Sequence, residues 1–238
     1  MADVSPAPAS RNEFDAYADD YDAQLGVGLA ITGESKDYYA RSRARWLAGR
    51  LAALSYRART VLDYGCGTGS ATPFLLEHLG VERLVGVDVS AESIRVARSR
   101  FSGAPASFAL VREFAPSASI DLAFCNGVFH HIPPAERAAS VEYVFRALRR
   151  GGIFAFWENN PWNPGTRYVM KRVAFDRDAI TLTAKESRTL LRAAGFEVLR
   201  TDFLFIFPAI LRSLRWIEPM AAGLPLGGQY LVLCRKAS

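Results

Sequence analysis

Cysteine is scarce in this chain of 238 residues: Cys66, Cys125 and Cys234 are three in number, far apart, and each falls in or beside an apolar strand-like run. That excludes a disulfide framework and a cysteine metal cluster, and leaves small buried apolar residues. Long hydrophobic runs are missing too. The densest, "FLFIFPAIL" (203 to 211), is broken by proline and falls short of the ~20 residues a membrane helix needs. The start, "MADVSPAPAS", has no basic flank before an apolar block, so it does not read as a secretion signal. No Lys-Ser or Lys-Thr follows the glycine cluster at 65 to 69, which excludes a Walker loop. Acids are absent from residues 41 to 60, where six arginines stand, yet the net charge is only +5 and most other arginines sit at solvent-facing helical spacing. The sequence therefore argues against nucleic acid as a partner.

What remains is half hydrophobic and 22% charged, the balance of one globular domain. The Ala/Pro/Ser-rich residues 1–12 read as a mobile tail and 13–238 as a single domain, with 13–58 a helical cap. In that cap Phe14, Tyr17 and Tyr21 recur at helical spacing, as do Trp46, Leu47, Leu51 and Leu54, predicting two helices. Strand and helix signals then alternate: strands at 60–64, 83–89 and 106–110, then 120–126, 153–159, 196–207 and 228–235. Pro133 and Pro134 are expected to open one helix, which Gly151 and Gly152 close, and Thr183 with Glu186 to cap another that stops at Gly195. Residues 208–228 are too long for a hairpin and too apolar for a plain loop, so they read as a lid.

The most informative stretch is "VLDYGCGTGS". Glycine at the carboxyl end of a first parallel strand admits positive φ and lets a ligand approach the backbone. Asp63 stands two residues ahead of Gly65, where it would repel a pyrophosphate but favour an ammonium group, so Gly65, Gly67 and Gly69 differ from a dinucleotide fingerprint and a dehydrogenase is disfavoured. Asp88 follows at the end of the second strand, 19 residues beyond Gly69, placed for two ribose hydroxyls. A nucleoside with a cationic tail fits both.

In this combination the chain resembles the class I S-adenosylmethionine-dependent methyltransferases: "VLDYGCGTGS" is similar to their first motif, "GVDVS" to the second-strand acid, "IDLAFCNGVFHHIPP" to the fourth-strand motif and "LRRGGIFAFWENN" to the fifth-strand motif. The resemblance implies a Rossmann-like α/β fold, a seven-stranded sheet of order 3-2-1-4-5-7-6 with the last strand antiparallel, flanked by helices. It assigns Gly65, Gly67 and Gly69 to the methionyl part of S-adenosylmethionine, Asp63 to its ammonium side, Asp88 with Val89 to the ribose, and Asn126 and Gly127 to the sulfonium. It further assigns Arg43 to the cofactor carboxylate, with Arg41 or Arg45 as alternatives, and Tyr17 and Tyr21 to a helix closing the site. Many relatives read adenine with an acid after the third strand; here "LVREFAPSAS" offers only Glu113.

The expected activity is methyl transfer by in-line displacement to an O, N or C atom of a small biosynthetic acceptor, leaving S-adenosylhomocysteine. RNA methylation, or a non-methylating reaction on the same fold, is the alternative, and the absence of a Pro-Pro-aromatic run after strand four disfavours nucleic-acid amines. Transfer from a sulfonium chiefly demands alignment and exclusion of water. Where the acceptor must lose a proton, His130, His131, Glu158 or Tyr17 would be the base. Asn159 and Asn160 join Glu158 as acceptor contacts, and Phe203, Phe205, Phe207 and Trp216 either line a pocket or are core. Arg167, Lys171 and Arg172 read first as a solvated basic loop. No metal is expected, since strand four ends without an acid. A cytoplasmic monomer or homodimer completes the expectation.

Overall fold

The computed structural model describes residues 26–237, and the tail 1–12 and the helix expected around Phe14, Tyr17 and Tyr21 lie outside the described residues. Its frame is a seven-stranded sheet in the order β3-β2-β1-β4-β5-β7-β6. The strands are β1 (Thr60–Tyr64), β2 (Arg83–Asp88), β3 (Ala106–Leu110), β4 (Ile120–Asn126), β5 (Leu148–Asn159), β6 (Phe196–Leu204) and β7 (Gln229–Lys236). All neighbours are parallel up to β5, and β7 runs antiparallel between β5 and β6. Near-continuous apolar runs in the central strands reflect burial on both faces. Val61, Leu122, Ile153 and Trp157 face one core, whereas Leu62, Ala123, Phe154 and Phe156 face the other. The three cysteines are free and buried, as their isolation implies.

Helix α1 (Lys36–Ala53) starts where Ser35 accepts a hydrogen bond from the Tyr38 N–H, and buries Ala40, Ala44, Leu47 and Leu51 at helical spacing. Its outer end is pinned to the sheet by the buried Asp202 of β6, which accepts from Trp46 Nε1 (2.9 Å) and Arg50 Nε (2.8 Å) and also pairs with Arg200. Helices α2 (Thr72–Leu79) and α3 (Ala91–Arg100) join α1 on one side of the sheet; α4 (Arg137–Ala147) and α6 (Ala184–Ala193) cover the other. The capping box of α6 forms as its sequence predicts, with Thr183 and Glu186 satisfying each other's backbone N–H groups.

Two boundaries differ from expectation. Pro133 and Pro134 lie in a turn closed by the Glu136 N–H to the Pro133 carbonyl, so α4 begins at Arg137. Gly151 and Gly152 belong to β5, which starts at Leu148, because a side chain at Gly152 would press on the Arg149 and Ile120 carbonyls. Before the last strand, the 3₁₀ segment Ala209–Ile217 and the short helix α7 (Glu218–Ala221) fill the insertion. It is tied to residues ahead of β1 by the Arg215–Glu34 pair (2.8 Å) and by the Arg215 guanidinium over the Tyr38 ring. No helix of the described residues is long and apolar enough to cross a membrane.

Candidate active site

Strand order reverses between β1 and β4, so their carboxyl ends leave a crevice. Two cavities occupy it. The smaller, about 300 Å³, is lined by Gly65, Gly67, Asp88, Val89, Asn126 and Gly127, with Val111 and Ile132 as apolar walls. The turn after β1 is left-handed at Gly65, Gly67 and Gly69. Gly65 and Cys66 donate to the Val87 carbonyl, and Gly67 donates to Asp88 Oδ2 (2.8 Å) while Ser90 donates to Oδ1 (2.9 Å). Asp88 is thereby fixed by backbone and keeps lone pairs for further donors.

The three glycines serve different ends. A Cβ at Gly67 would meet nothing within 4 Å, one at Gly65 would strike Val128, and one at Gly69 would lie 2.6 Å from the Phe101 ring. Gly67 keeps the cavity wall bare; Gly69 lines neither cavity and lets the turn pack on the end of α3. Asp63 also lines neither. Its carboxylate is 2% exposed and Oδ2 has no hydrogen-bond partner among the described residues. Burial, and secondarily the Asp88 charge, push its pKa up to about 7 against the opposing pull of Arg43.

The larger cavity, about 330 Å³, shares Asn126, Gly127 and His131 with the smaller one. Its walls come from residues before β1 (Lys36, Tyr39, Arg43), from the helix α5 (Pro164–Met170) with the following Phe175 and Asp176, and from residues 205–208. Phe205 adopts a left-handed φ of 66°, which ends β6 and directs Phe205 and Phe207 to the cavity, whereas Phe203 stays in the core and Trp216 is 70% exposed. Arg43 reaches this cavity, donating to Gln229 Oε1 (2.8 Å), and Gln229 in turn donates to Asn159 Oδ1 (2.9 Å).

At the cavity floor lies a buried ionisable cluster. Glu158, fully buried, accepts from the Phe129 N–H (2.7 Å) and pairs with His130 Nδ1 at 2.6 Å. His130 Nε2 stands 3.4 Å from Asp176 Oδ1, and His131 Nε2 stands 3.2 Å from the same oxygen. Burial pushes the His130 pKa down, but Glu158 and then Asp176 outweigh it and raise it to about 10. The two carboxylates shift below their ordinary range, their desolvation being overcome chiefly by His130. Without another cation, His130 is an imidazolium and offers no lone pair to a substrate proton.

The structure thus brings Gly65, Gly67, Asp88, Val89, Asn126, Gly127 and His131 to one cavity, and His130, His131 and Arg43 to the next. Glu158 stands behind His130 and lines neither. Tyr17 and Tyr21 lie outside the described residues. Asn160 is a clamp: its amide donates to the Pro225 and Gly227 carbonyls and holds the insertion. Glu113 turns outward to the Leu110 N–H and Arg98, and is absent from the cavity where adenine would be read. Arg167, Lys171 and Arg172 are solvent-exposed, and none lines a cavity. Sequence reasoning passed over Asp176 and Gln229, which are 46 and 186 residues from their partners His130 and Arg43.

The family model for the methyltransferase domain matches residues 61–152, which span the glycine turn, both acidic strand ends and β4. Residues 61–152 are thus a methyltransferase domain, set in the fold of the class I S-adenosylmethionine-dependent methyltransferases. Its cofactor is S-adenosylmethionine. Among curated relatives, a trans-aconitate 2-methyltransferase of Acidovorax ebreus (strain TPSY) is 26% identical over 76% of this chain and 75% of its own length. One from Azoarcus sp. (strain BH72) is 41% identical, over 41% of this chain and only 38% of its own length. A solved S-adenosylmethionine-dependent methyltransferase from Thermotoga maritima superposes with a TM-score of 0.65 at 21% identity, covering 94% of this chain and 97% of that one, and shows the common fold.

The residues present suit this cofactor. A bare Gly67 wall, the backbone-fixed Asp88 and a buried Asn126 Oδ1 without a hydrogen-bond partner among the described residues offer apolar contact and acceptor atoms to a ligand carrying hydroxyls and an ammonium, and the orphaned Asp63 Oδ2 adds an acidic group behind the turn.

Proposed function

We propose that the chain methylates a carboxylate oxygen of a small polycarboxylate, of which trans-aconitate is one example, held in the larger cavity. The observation that carries this is the shared wall: Asn126, Gly127 and His131 belong to both cavities, so a cofactor in the smaller one presents its methyl group to an acceptor in the larger. Gly65, Gly67, Asp88, Val89, Asn126 and Gly127 would hold the cofactor, with Asp63 and Arg43 acting on its amino-acid end. The cofactor supplies an electrophilic methyl on a positive sulfur. When bound, it would give up that methyl to an acceptor oxygen lone pair, the S–C bonding pair staying with sulfur, so no further co-reactant would be needed.

A carboxylate is already ionised at neutral pH and needs no base. Lys36, Arg43 and His131 place cationic or hydrogen-bonding groups on the cavity wall, and the apolar Val169, Met170, Phe175 and Phe207 exclude water from the carbon skeleton. The names of the curated relatives support the same acceptor class. Labelled S-adenosylmethionine offered with a panel of di- and tricarboxylates, amines and phenols tests the reading. A base-labile methyl ester on a carboxylate is expected; transfer confined to amines or phenols, with carboxylates inert, would refute it.

A further inference from the structure

The buried Glu158, His130 and Asp176 with the partly buried His131 make up more ionisable groups than a carboxylate acceptor requires. Glu158 and Asp176 set two carboxylates around the two imidazoles at the floor of a cavity read as an anion site. We propose that His130 Nε2, His131 Nε2 and Asp176 Oδ1 ligate a divalent first-row metal ion such as Zn²⁺, with Glu158 as the carboxylate that orients His130 from behind, and that the open position of this ion binds an acceptor oxygen.

The spacing is the first ground. Four ligands at the ~2.0–2.1 Å typical of zinc lie about 3.3–3.4 Å apart at the edges of a tetrahedron. Asp176 Oδ1 is 3.2 Å from His131 Nε2 and 3.4 Å from His130 Nε2, and all three atoms lie within 4.8 Å of one another. Both distances exceed the ~2.7–2.9 Å of a charge-assisted N–H···O contact. Glu158 and His130, in contrast, meet at 2.6 Å. The cluster is tight where a supporting carboxylate belongs and looser, at 3.2 and 3.4 Å, where the ligand atoms converge.

The second ground is orientation. Glu158 takes the Nδ1 side of His130 and is itself held by the Phe129 N–H, an arrangement that turns Nε2 toward Asp176 and supports a metal-bound imidazole. The ion would take the place of the proton between His130 and Asp176. The third is access: His130, His131 and Asp176 all line the larger cavity, and His131 also lines the smaller one. Three protein ligands and one open position facing the acceptor make a site built for an exchangeable oxygen ligand. The acceptor role of that position rests on the carboxylate reading above; the ion itself does not.

The full-length chain, stripped with a chelator, is titrated with Co²⁺ and followed by visible absorption. One Co²⁺ per chain should bring ligand-field bands of a four- or five-coordinate site, which Zn²⁺ abolishes by displacement. Asp176→Asn, nearly isosteric, and His131→Gln should each weaken Co²⁺ binding at least about tenfold, and Glu158→Gln about 10–100-fold. S-adenosylhomocysteine binding should be unchanged in Asp176→Asn, which shows the variant folded. Absence of the bands while homocysteine-product binding is intact, or a Co²⁺ affinity unmoved by Asp176→Asn, overturns the metal and leaves the carboxylate reading standing. Transfer to amines alone from a chain that does bind Co²⁺ would overturn only the acceptor.

Discussion

Asp63 is a carboxylate that folding disfavours and cofactor binding should favour. With its pKa at about 7, raised by burial and by Asp88, half of the cofactor-free chains hold it protonated at neutral pH. A ligand ammonium selects the ionised form, so the apparent dissociation constant is the intrinsic one multiplied by 1 + 10^(pKa − pH). Between about pH 8 and pH 6 that factor rises from about 1 to about 11, a tenfold loss equal to about 1.4 kcal/mol. The same raised pKa sets the opposite trend for the free protein. The stability that the protonated carboxyl provides is complete below about pH 4, its unfolded value, and is lost as pH climbs through about 7. Asp63→Asn cannot ionise, so at about pH 8 it should stabilise the cofactor-free chain by about 2–4 kcal/mol while weakening the cofactor, and the gain should vanish near pH 4. Calorimetry with S-adenosylhomocysteine at three pH values, beside thermal melts of the free protein, measures both. Wild-type affinity independent of pH, or a tenfold slope that persists in Asp63→Asn, would refute the reasoning.

The glycine turn separates space kept for the cofactor from space used by the fold. Gly67→Ala adds a methyl that meets no protein atom and pays only the left-handed backbone cost of about 1–2 kcal/mol, so the chain should fold and lose cofactor affinity by more than about tenfold in calorimetry. Gly65→Ala drives the same methyl into Val128, and its main effect should be a lowered melting temperature. At the far edge of the sheet, Asp202→Ala leaves Trp46 Nε1 without its acceptor and frees Arg50; denaturant unfolding should show a loss of about 2–4 kcal/mol, whereas a change under 0.5 kcal/mol would show that α1 is held by its apolar face alone.

The strands and the glycine turn were legible because their signals are local, whereas the strand order came from the family resemblance alone. Apolar runs of five to seven residues mark β1, β2 and β4, positive φ demands Gly65 and Gly67, and the acids at 63 and 88 sit at strand ends whose position follows from the alternation of elements. Local capping rules also placed α6. They failed at Pro133–Pro134 and Gly151–Gly152, where a turn hydrogen bond and the pairing of β5 with β4 outweighed helix-boundary preferences.

By itself, then, the order of residues determined a parallel sheet with a bare turn between two acids, because glycine conformation and strand alternation need only near neighbours. Tertiary structure alone decided what faces the methyl donor. Asp176 meets His130 and His131, Gln229 meets Arg43, and Asn160 closes on residue 227, pairings separated by 45 to 186 positions that no periodicity encodes. Folding also set the Asn160 amide on the Pro225 and Gly227 carbonyls and His130 between Glu158 and Asp176. Charge and ligand geometry depend on what burial places within a few ångströms, and burial is a property of the whole packed chain.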